Sequence, residues 1–245
     1  RVGYSIPAAC GGRGRCGKCR VNVNGVPRLA CKTRAQDGNR IDLPETTRGV
    51  ILTDTLTLLN VQAGRSGLGA AVDLGTTTVA LRLFDRADGR LLAQAQDWNA
   101  QASYGADVIS RIQHTMEAPD GLDELSRCIR AQVHELLEQA LSAAGRKMDE
   151  VKELIVAGNT VMQHLFDGRE AASIARAPFR PETLFEDGAG KPLSGISVRF
   201  APCVAGYVGG DITAGLLADG LFAQPELRLF LDIGTNGEMA LGNED

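Results

Sequence analysis

Four cysteines near the amino terminus have a spacing that suits an iron–sulfur cluster. Cys10, Cys16, Cys19 and Cys31 follow the pattern C-x5-C-x2-C-x11-C. Three thiolates on one loop, with a fourth arriving from beyond a hairpin, can surround a two-iron core, and each ligand must be a deprotonated sulfur. The pattern therefore predicts a [2Fe–2S] cluster. A zinc ribbon is the alternative, but it normally pairs two C-x2-C knuckles, and only Cys16 and Cys19 form one.

The residues around the cysteines fit the same interpretation. Asn24-Gly25 is a typical two-residue hairpin turn, which would return the chain so that Cys31 faces the first three ligands. Glycines in the loop favour amide contacts with sulfur, and basic residues would surround an anionic cluster: Gly11, Gly12, Arg13, Gly14, Arg15, Gly17, Lys18 and Arg20. An ordinary solvated face is the alternative for the basic residues, and either would allow an acidic redox partner to dock.

A second kind of chemistry is indicated by a motif that occurs at residues 73–78 and again at 232–237. Each copy has an apolar strand, an Asp, a Gly and then hydroxyl or amide side chains. Glycine lets backbone amides approach phosphate oxygens, and the Asp can hold Mg²⁺ through water. One Asp-Gly pair is a common hairpin turn, but two copies predict paired phosphate loops. The loop residues are Asp73, Gly75, Thr76 and Thr77 in the first copy and Asp232, Gly234, Thr235 and Asn236 in the second.

Further polar residues could complete such a site. Asp211 lies at the start of a predicted helix after a strand, which resembles the place where sugar kinases of the actin-like superfamily keep their catalytic base. The resemblance implies that its carboxylate could orient water or Mg²⁺. Capping of the first helical amides is the alternative role. Asn159 and Thr160 could line the same cleft or form a plain turn. His164 falls on the short predicted helix after that turn, where a lone histidine more often packs than binds a ligand, so we expect it to pack in the core.

Composition limits the function classes. The 245 residues carry a net charge of −4 and only 4% aromatic side chains, which argues against a nucleic-acid partner. No apolar run reaches the eighteen or more residues of a membrane span, and no segment resembles a secretory signal. Most of the six cysteines belong to one motif, which is typical of a reducing compartment. We therefore expect a cytoplasmic protein without nucleic-acid or membrane partners.

Hydrophobic periodicity predicts mixed secondary structure beyond the cysteine motif. Strand-rich segments are predicted at 68–85, 90–101, 152–160, 198–206 and 227–243. Helices are predicted at 105–115, 122–145, 161–168 and 211–222.

Several short segments of the sequence resemble segments of the ATP-dependent reductive activators of corrinoid proteins. They are DLGTTTVAL, NAQASYGADVISRI, VAGNTVMQHLF, PCVAGYVGGDITAGLLADG and LFLDIGTNGE. The cysteine spacing is similar to that of adrenodoxin-like ferredoxins, and the paired loops resemble the ATP-binding fold of the actin, Hsp70 and sugar-kinase superfamily. The resemblance implies a mixed fold of α+β and α/β parts. A partial β-grasp ferredoxin domain would precede an actin-like, ribonuclease H-like ATPase domain.

The same resemblance implies a division of the chain into four parts. Residues 1–48 would be the ferredoxin-like domain, incomplete at its start, and residues 49–68 a linker. Residues 69–225 would be the first half of the ATPase domain, and 226–245 the start of a second half that is largely missing. On this interpretation the sequence is a fragment.

The implied activity is ATP-dependent reduction of cob(II)amide to cob(I)amide in a corrinoid methyltransferase partner. Its cofactors would be a [2Fe–2S] cluster and ATP with Mg²⁺, with a low-potential electron donor upstream and a homodimeric assembly. Two alternatives stay open: a ferredoxin-type carrier with a regulatory actin-like domain, and a small-molecule kinase with an appended ferredoxin. An activator of a radical dehydratase is disfavoured, because that class resembles an arrangement with a [4Fe–4S] cluster shared between subunits.

Overall fold

The computed structural model describes residue 14 and residues 19–43, 64–234 and 237–245. Near the amino terminus, β1 (Arg20–Val23) and β2 (Val26–Leu29) form an antiparallel hairpin, and β3 (Ile41–Asp42) pairs with β1. Asn24 and Gly25 have φ angles of 52° and 81°, the left-handed values that a tight hairpin turn requires. The predicted hairpin is therefore confirmed. Cys10 and Cys16 lie outside the described residues.

A six-stranded mixed sheet forms the centre of the larger part, with strand order β6-β5-β4-β7-β9-β8. Parallel pairs join β4 to β7 and β7 to β9, and the other neighbours are antiparallel. The strands are β4 (Leu68–Leu74), β5 (Thr78–Asp85), β6 (Leu91–Trp98), β7 (Val151–Gly158), β8 (Ala189–Leu193) and β9 (Ile196–Phe200). Alternate residues of β4 are buried, so one face of the sheet forms the core.

Helices pack on the core face because their apolar side chains repeat at helical spacing. These helices are α1 (Val108–Glu117), α2 (Gly121–Ala144) and α3 (Thr160–Asp167). The helix α4 (Gly210–Asp219) contacts β7 but places no side chain in this core cluster. The long α2 packs on β5 and β6, and it ends at Gly145, as the sequence predicts. His164 in α3 is fully buried and its Nδ1 lies 2.7 Å from the Thr160 carbonyl, consistent with packing.

Three sequence expectations need correction. The strand predicted over 198–206 ends at Phe200, because Pro202 has no N–H to continue a ladder. The helix predicted over 211–222 ends at Asp219, where Gly220 adopts a φ of 68°. The edge strand β8 was not predicted, because its sequence AGKPL contains Gly and Pro and carries little strand signal.

The carboxyl-terminal residues form a second hairpin, in which β10 (Arg228–Ile233) pairs with β11 (Gly237–Gly242). This hairpin packs on α4: a Cβ on Gly215 would lie 2.6 Å from Cζ of Phe230. The predicted strand–turn–strand is confirmed. Among the described residues, no helix combines the length and apolarity needed to cross a membrane.

Candidate functional site

The candidate site lies at the carboxyl ends of two parallel strands. β4 and β7 run side by side with Leu74 opposite Gly158, so the segments that follow them emerge at the same edge of the sheet. Residues 75–77 follow β4, and Asn159 follows β7. Crevices at such strand ends commonly bind ligands in α/β folds.

A pocket of about 200 Å³ opens at this edge and brings most of the predicted site residues together. Its lining consists of Asp73, Gly75, Thr76, Thr77, Thr78, Asn159, Asp211, Asp232, Gly234 and Glu238. Thr235 and Asn236, which complete the second predicted loop, lie outside the described residues. A larger open cavity of about 420 Å³ lies next to it and shares Glu238, but it is lined largely by apolar groups such as Tyr207 and Met239.

Crowded carboxylates dominate the electrostatics of the pocket. Asp73 is solvent-accessible from the cleft but has protein on most sides, and this burial raises its pKa to about 6. The negative charges of Asp211 and Asp232 add to the rise, whereas Arg82 opposes it. Burial also raises the pKa of Asp211, and the neighbouring Asp232 adds to that rise.

Glu238 is a site residue that the sequence reasoning missed. It lies directly across the β10–β11 ladder from Asp232, so the two carboxylates share one face of the hairpin. Partial burial, Asp211 and Asp232 together raise its pKa. Register counting across the predicted strand–turn–strand could have found it, because Asp232 and Glu238 flank the turn symmetrically.

Asp211 lies in the first turn of α4, and the N-cap position itself is taken by Gly209. Its Oδ1 accepts from the amide of Ile212 at 3.0 Å, so the carboxylate does bond a first-turn amide, as the capping alternative expected. The same side chain lines the pocket. A Cβ on Gly209 would lie 2.4 Å from the Asn159 Cα, so this glycine allows the start of α4 to reach the cleft.

Buried donors hold the carbonyl groups of the first loop. Asn99 Nδ2 donates to the Gly75 carbonyl at 2.8 Å, and its backbone amide donates to the Thr77 carbonyl at 2.8 Å. Arg111 Nη2 donates to the Thr76 carbonyl at 2.6 Å. In a planar trans peptide the N–H points opposite to the C=O. Each amide of residues 76–78 therefore points away from the donor that holds the carbonyl group of its own peptide.

Asn159 and Thr160 have different positions. Asn159 caps α3, with Oδ1 accepting from the Met162 amide at 3.0 Å, and its Nδ2 donates to Thr76 Oγ1 at 3.0 Å. Thr160 is fully buried and donates to the Ala205 carbonyl at 2.6 Å, so it does not line the pocket.

The pocket suits a magnesium ion held partly by a ligand. Among the described residues no three His, Cys, Asp or Glu side chains are arranged to hold a metal by themselves. Mg²⁺ commonly uses one or two carboxylates and completes its shell with water and substrate phosphates. The charges of Asp211 and Asp232 add to the raised pKa of Asp73, and a bound cation would relieve this repulsion.

Half of the predicted cluster ligands lie within the described residues. The sulfur atoms of Cys19 and Cys31 are 3.3 Å apart, because Cys19 precedes β1 and Cys31 follows β2 of the same hairpin. The hairpin therefore brings together the two thiols that the sequence separates by eleven residues. This pair fits ligation of a thiolate-bound cluster.

The fold and the pocket define an α/β protein with an acidic cleft at the carboxyl ends of its parallel strands. The family described as the RACo middle region matches residues 68–224. The chain therefore belongs to this family.

Two relatives share most of the chain. The corrinoid activation enzyme RamQ of Eubacterium limosum is 36% identical over 184 residues, which cover 72% of this chain and 30% of that protein. A solved structure of a reductive activator for a corrinoid, iron–sulfur protein is 41% identical with a TM-score of 0.68. The match to this structure covers 74% of the present chain and 30% of the activator's chain. The present chain therefore spans less than a third of the length of either relative.

A more distant likeness carries no weight for function. A putative 2-dehydro-3-deoxygalactonokinase from Sinorhizobium meliloti is 18% identical with a TM-score of 0.38, over 71% of this chain and 49% of that chain.

Proposed function

We propose that the chain binds ATP with Mg²⁺ and takes part in ATP-dependent, one-electron reduction of cob(II)amide to cob(I)amide in a corrinoid partner protein. Membership of the RACo middle region family supports this proposal. The names of both relatives, an activation enzyme and a reductive activator, concern corrinoid proteins.

The observation that carries the proposal is the meeting of Asp73 and Asp232 in one pocket. Each residue is the next-to-last residue of its strand, and a glycine follows it after one intervening residue. Two such loops that face each other can hold a nucleotide's phosphates between them. The loop amides would bind phosphate oxygens, and Asp73, Asp232 or both would hold Mg²⁺, directly or through water.

Asp211 would orient the water that attacks the terminal phosphate. Its raised pKa makes the carboxylate a better proton acceptor than an ordinary Asp. Glu238, on the facing hairpin, would hold a water molecule of the magnesium shell.

The four cysteines would hold a [2Fe–2S] cluster, which when bound supplies one-electron transfer. Reduction of cobalt(II) to cobalt(I) consumes one electron, taken from a low-potential donor upstream. Each 59 mV of mismatch in a one-electron step changes the equilibrium about tenfold. Nucleotide binding can shift this balance only if ATP binds two conformations of the protein with different affinity.

The test is reduction of a corrinoid protein in the cob(II) state, followed by the cob(I) absorption spectrum, with a chemical reductant and with or without Mg-ATP. We expect cob(I) only when Mg-ATP is present. Cys19→Ser should bind ATP but fail to deliver the electron, whereas Cys128→Ser, which changes a cysteine outside the motif, should behave as the unchanged protein. Equal reduction without nucleotide would indicate a plain electron carrier, and transfer of phosphate to a small metabolite would indicate a kinase.

A further inference from the structure

Arg111 is a fully buried arginine at the back of the first phosphate loop. Its guanidinium makes four contacts with neutral groups. Nε donates to the Gly105 carbonyl at 3.1 Å, and Nη1 contacts Gln101 Oε1 at 3.3 Å and Met162 Sδ at 3.0 Å. Nη2 makes the short bond of 2.6 Å to the Thr76 carbonyl.

The positive charge of Arg111 has no ion-pair partner among the described residues. Burial lowers the pKa of its guanidinium to about 10, which leaves it charged at neutral pH. The negative charge of Asp107 favours the charged guanidinium, although the two side chains form no ion pair. A buried charge without a directly paired counterion costs stability, and apolar residues often replace buried ionic groups without loss. Packing alone therefore gives a poor account of an arginine at this position.

The position of the charge relates it to the pocket. The Thr76 carbonyl that accepts from Arg111 belongs to the same peptide group as the Thr77 amide, which points the opposite way. Thr77 lines the pocket.

We propose that Arg111 is a positioning residue, which holds the first loop in its phosphate-binding shape through the Thr76 carbonyl. This inference rests on the proposed nucleotide site. Arg111 touches no ligand in this arrangement, and it acts through the peptide group that it contacts.

The experiment compares Mg-ATP affinity, measured by calorimetry, with thermal unfolding in a set of variants. Arg111→Met should weaken Mg-ATP binding about tenfold or more, because a hydrogen bond to a charged donor is lost. The Mg-ATP affinity of Arg111→Lys should lie between that of Arg111→Met and that of the unchanged protein. Lysine retains the charge but lacks the planar, forked set of donors of a guanidinium group. Arg130→Met is the matched control, since Arg130 also holds backbone carbonyls, those of Phe166, Lys191 and Pro192, away from the pocket. It should lower the melting temperature and leave the Mg-ATP affinity unchanged.

A rescue measurement separates positioning from folding. Arg111→Ala leaves a cavity, and added guanidinium ion at millimolar concentration should restore Mg-ATP affinity there without changing Arg130→Ala. Unchanged Mg-ATP affinity in Arg111→Met would overturn the inference. It would also be overturned if the Arg111 and Arg130 variants lost Mg-ATP affinity to the same extent for the same decrease in melting temperature. An unchanged protein that bound no Mg-ATP would overturn the proposed function itself, and this inference with it.

Discussion

Asn159 Nδ2 donates to Thr76 Oγ1 at 3.0 Å, which connects the N-cap of α3 to the loop that follows β4 across 83 positions of sequence. The same side chain caps α3 through its oxygen. One amide group therefore serves two segments that follow neighbouring parallel strands. Any movement of α3 relative to β4 would be transmitted to the loop through this bond.

Asn159→Ser should separate these two roles. Serine is a good N-cap but too short to reach Thr76, so we expect little loss of stability and a weaker affinity for Mg-ATP. Asn159→Ala should in addition lose about 1 kcal/mol of stability. Thr76→Val removes the acceptor, and in a double-mutant cycle with Asn159→Ser the affinity losses should be less than additive. Fully additive losses would show that the two residues act independently.

The raised pKa of Asp73 predicts a pH dependence of stability and of binding. Its pKa is about 6 in the folded protein against an ordinary 3.8, so between these values the folded state binds more protons than the unfolded state. The contribution of Asp73 to stability therefore falls as pH rises from about 4 to about 6, and is constant above. Asp73→Asn should remove this part of the decrease in the free energy of unfolding, measured by chemical denaturation at several pH values.

Mg-ATP binding should change in the opposite direction, because the ion requires an ionised Asp73. Affinity should increase with pH through about 6 in calorimetric titrations and level off near neutrality. An affinity that stayed constant across this range would exclude Asp73 from the magnesium site.

Glu238→Gln should stabilise the protein in the absence of magnesium. Glu238 and Asp232 are opposite each other on the β10–β11 ladder, and like charges in such pairs are destabilising by about 0.2–1 kcal/mol. The melting temperature should therefore rise slightly at low salt, and the gain should shrink at high salt. Glu244→Gln, farther along the chain and not in the pocket lining, is the control and should show no gain. Mg-ATP hydrolysis should fall in Glu238→Gln only.

Cys31→Ser should prevent cluster assembly if the Cys19–Cys31 pair binds iron. The 3.3 Å distance between their sulfur atoms brings both thiols to one end of the first hairpin. We expect iron and acid-labile sulfide near two each per chain in protein prepared without oxygen, and loss of both in the variant. Cys203→Ser, which changes a buried cysteine outside the motif, should retain them. Zinc at one per chain without visible absorption would contradict the cluster assignment.

The sequence was informative where local patterns determine structure. The Asn24-Gly25 turn, the end of α2 at Gly145 and the strands around Asp73 follow from turn chemistry and periodicity, and the structure confirms them. Arg111 could not be predicted as a site residue, because its contacts join segments 35 and 51 positions away and leave no periodic signal. Strand β8 was missed for another reason, since its sequence AGKPL contains Gly and Pro and carries little strand signal.

The carbonyl groups of the first phosphate loop are held by Asn99 and Arg111 from outside the loop itself. The surrounding scaffold therefore helps to determine the shape of the loop, and the sequence DLGTTT alone does not determine it. Grafting these six residues onto an unrelated hairpin should transfer the sequence without the anion affinity. A designer who wished to move this site to another protein would have to transplant the strand β6 end and the start of α1 along with it.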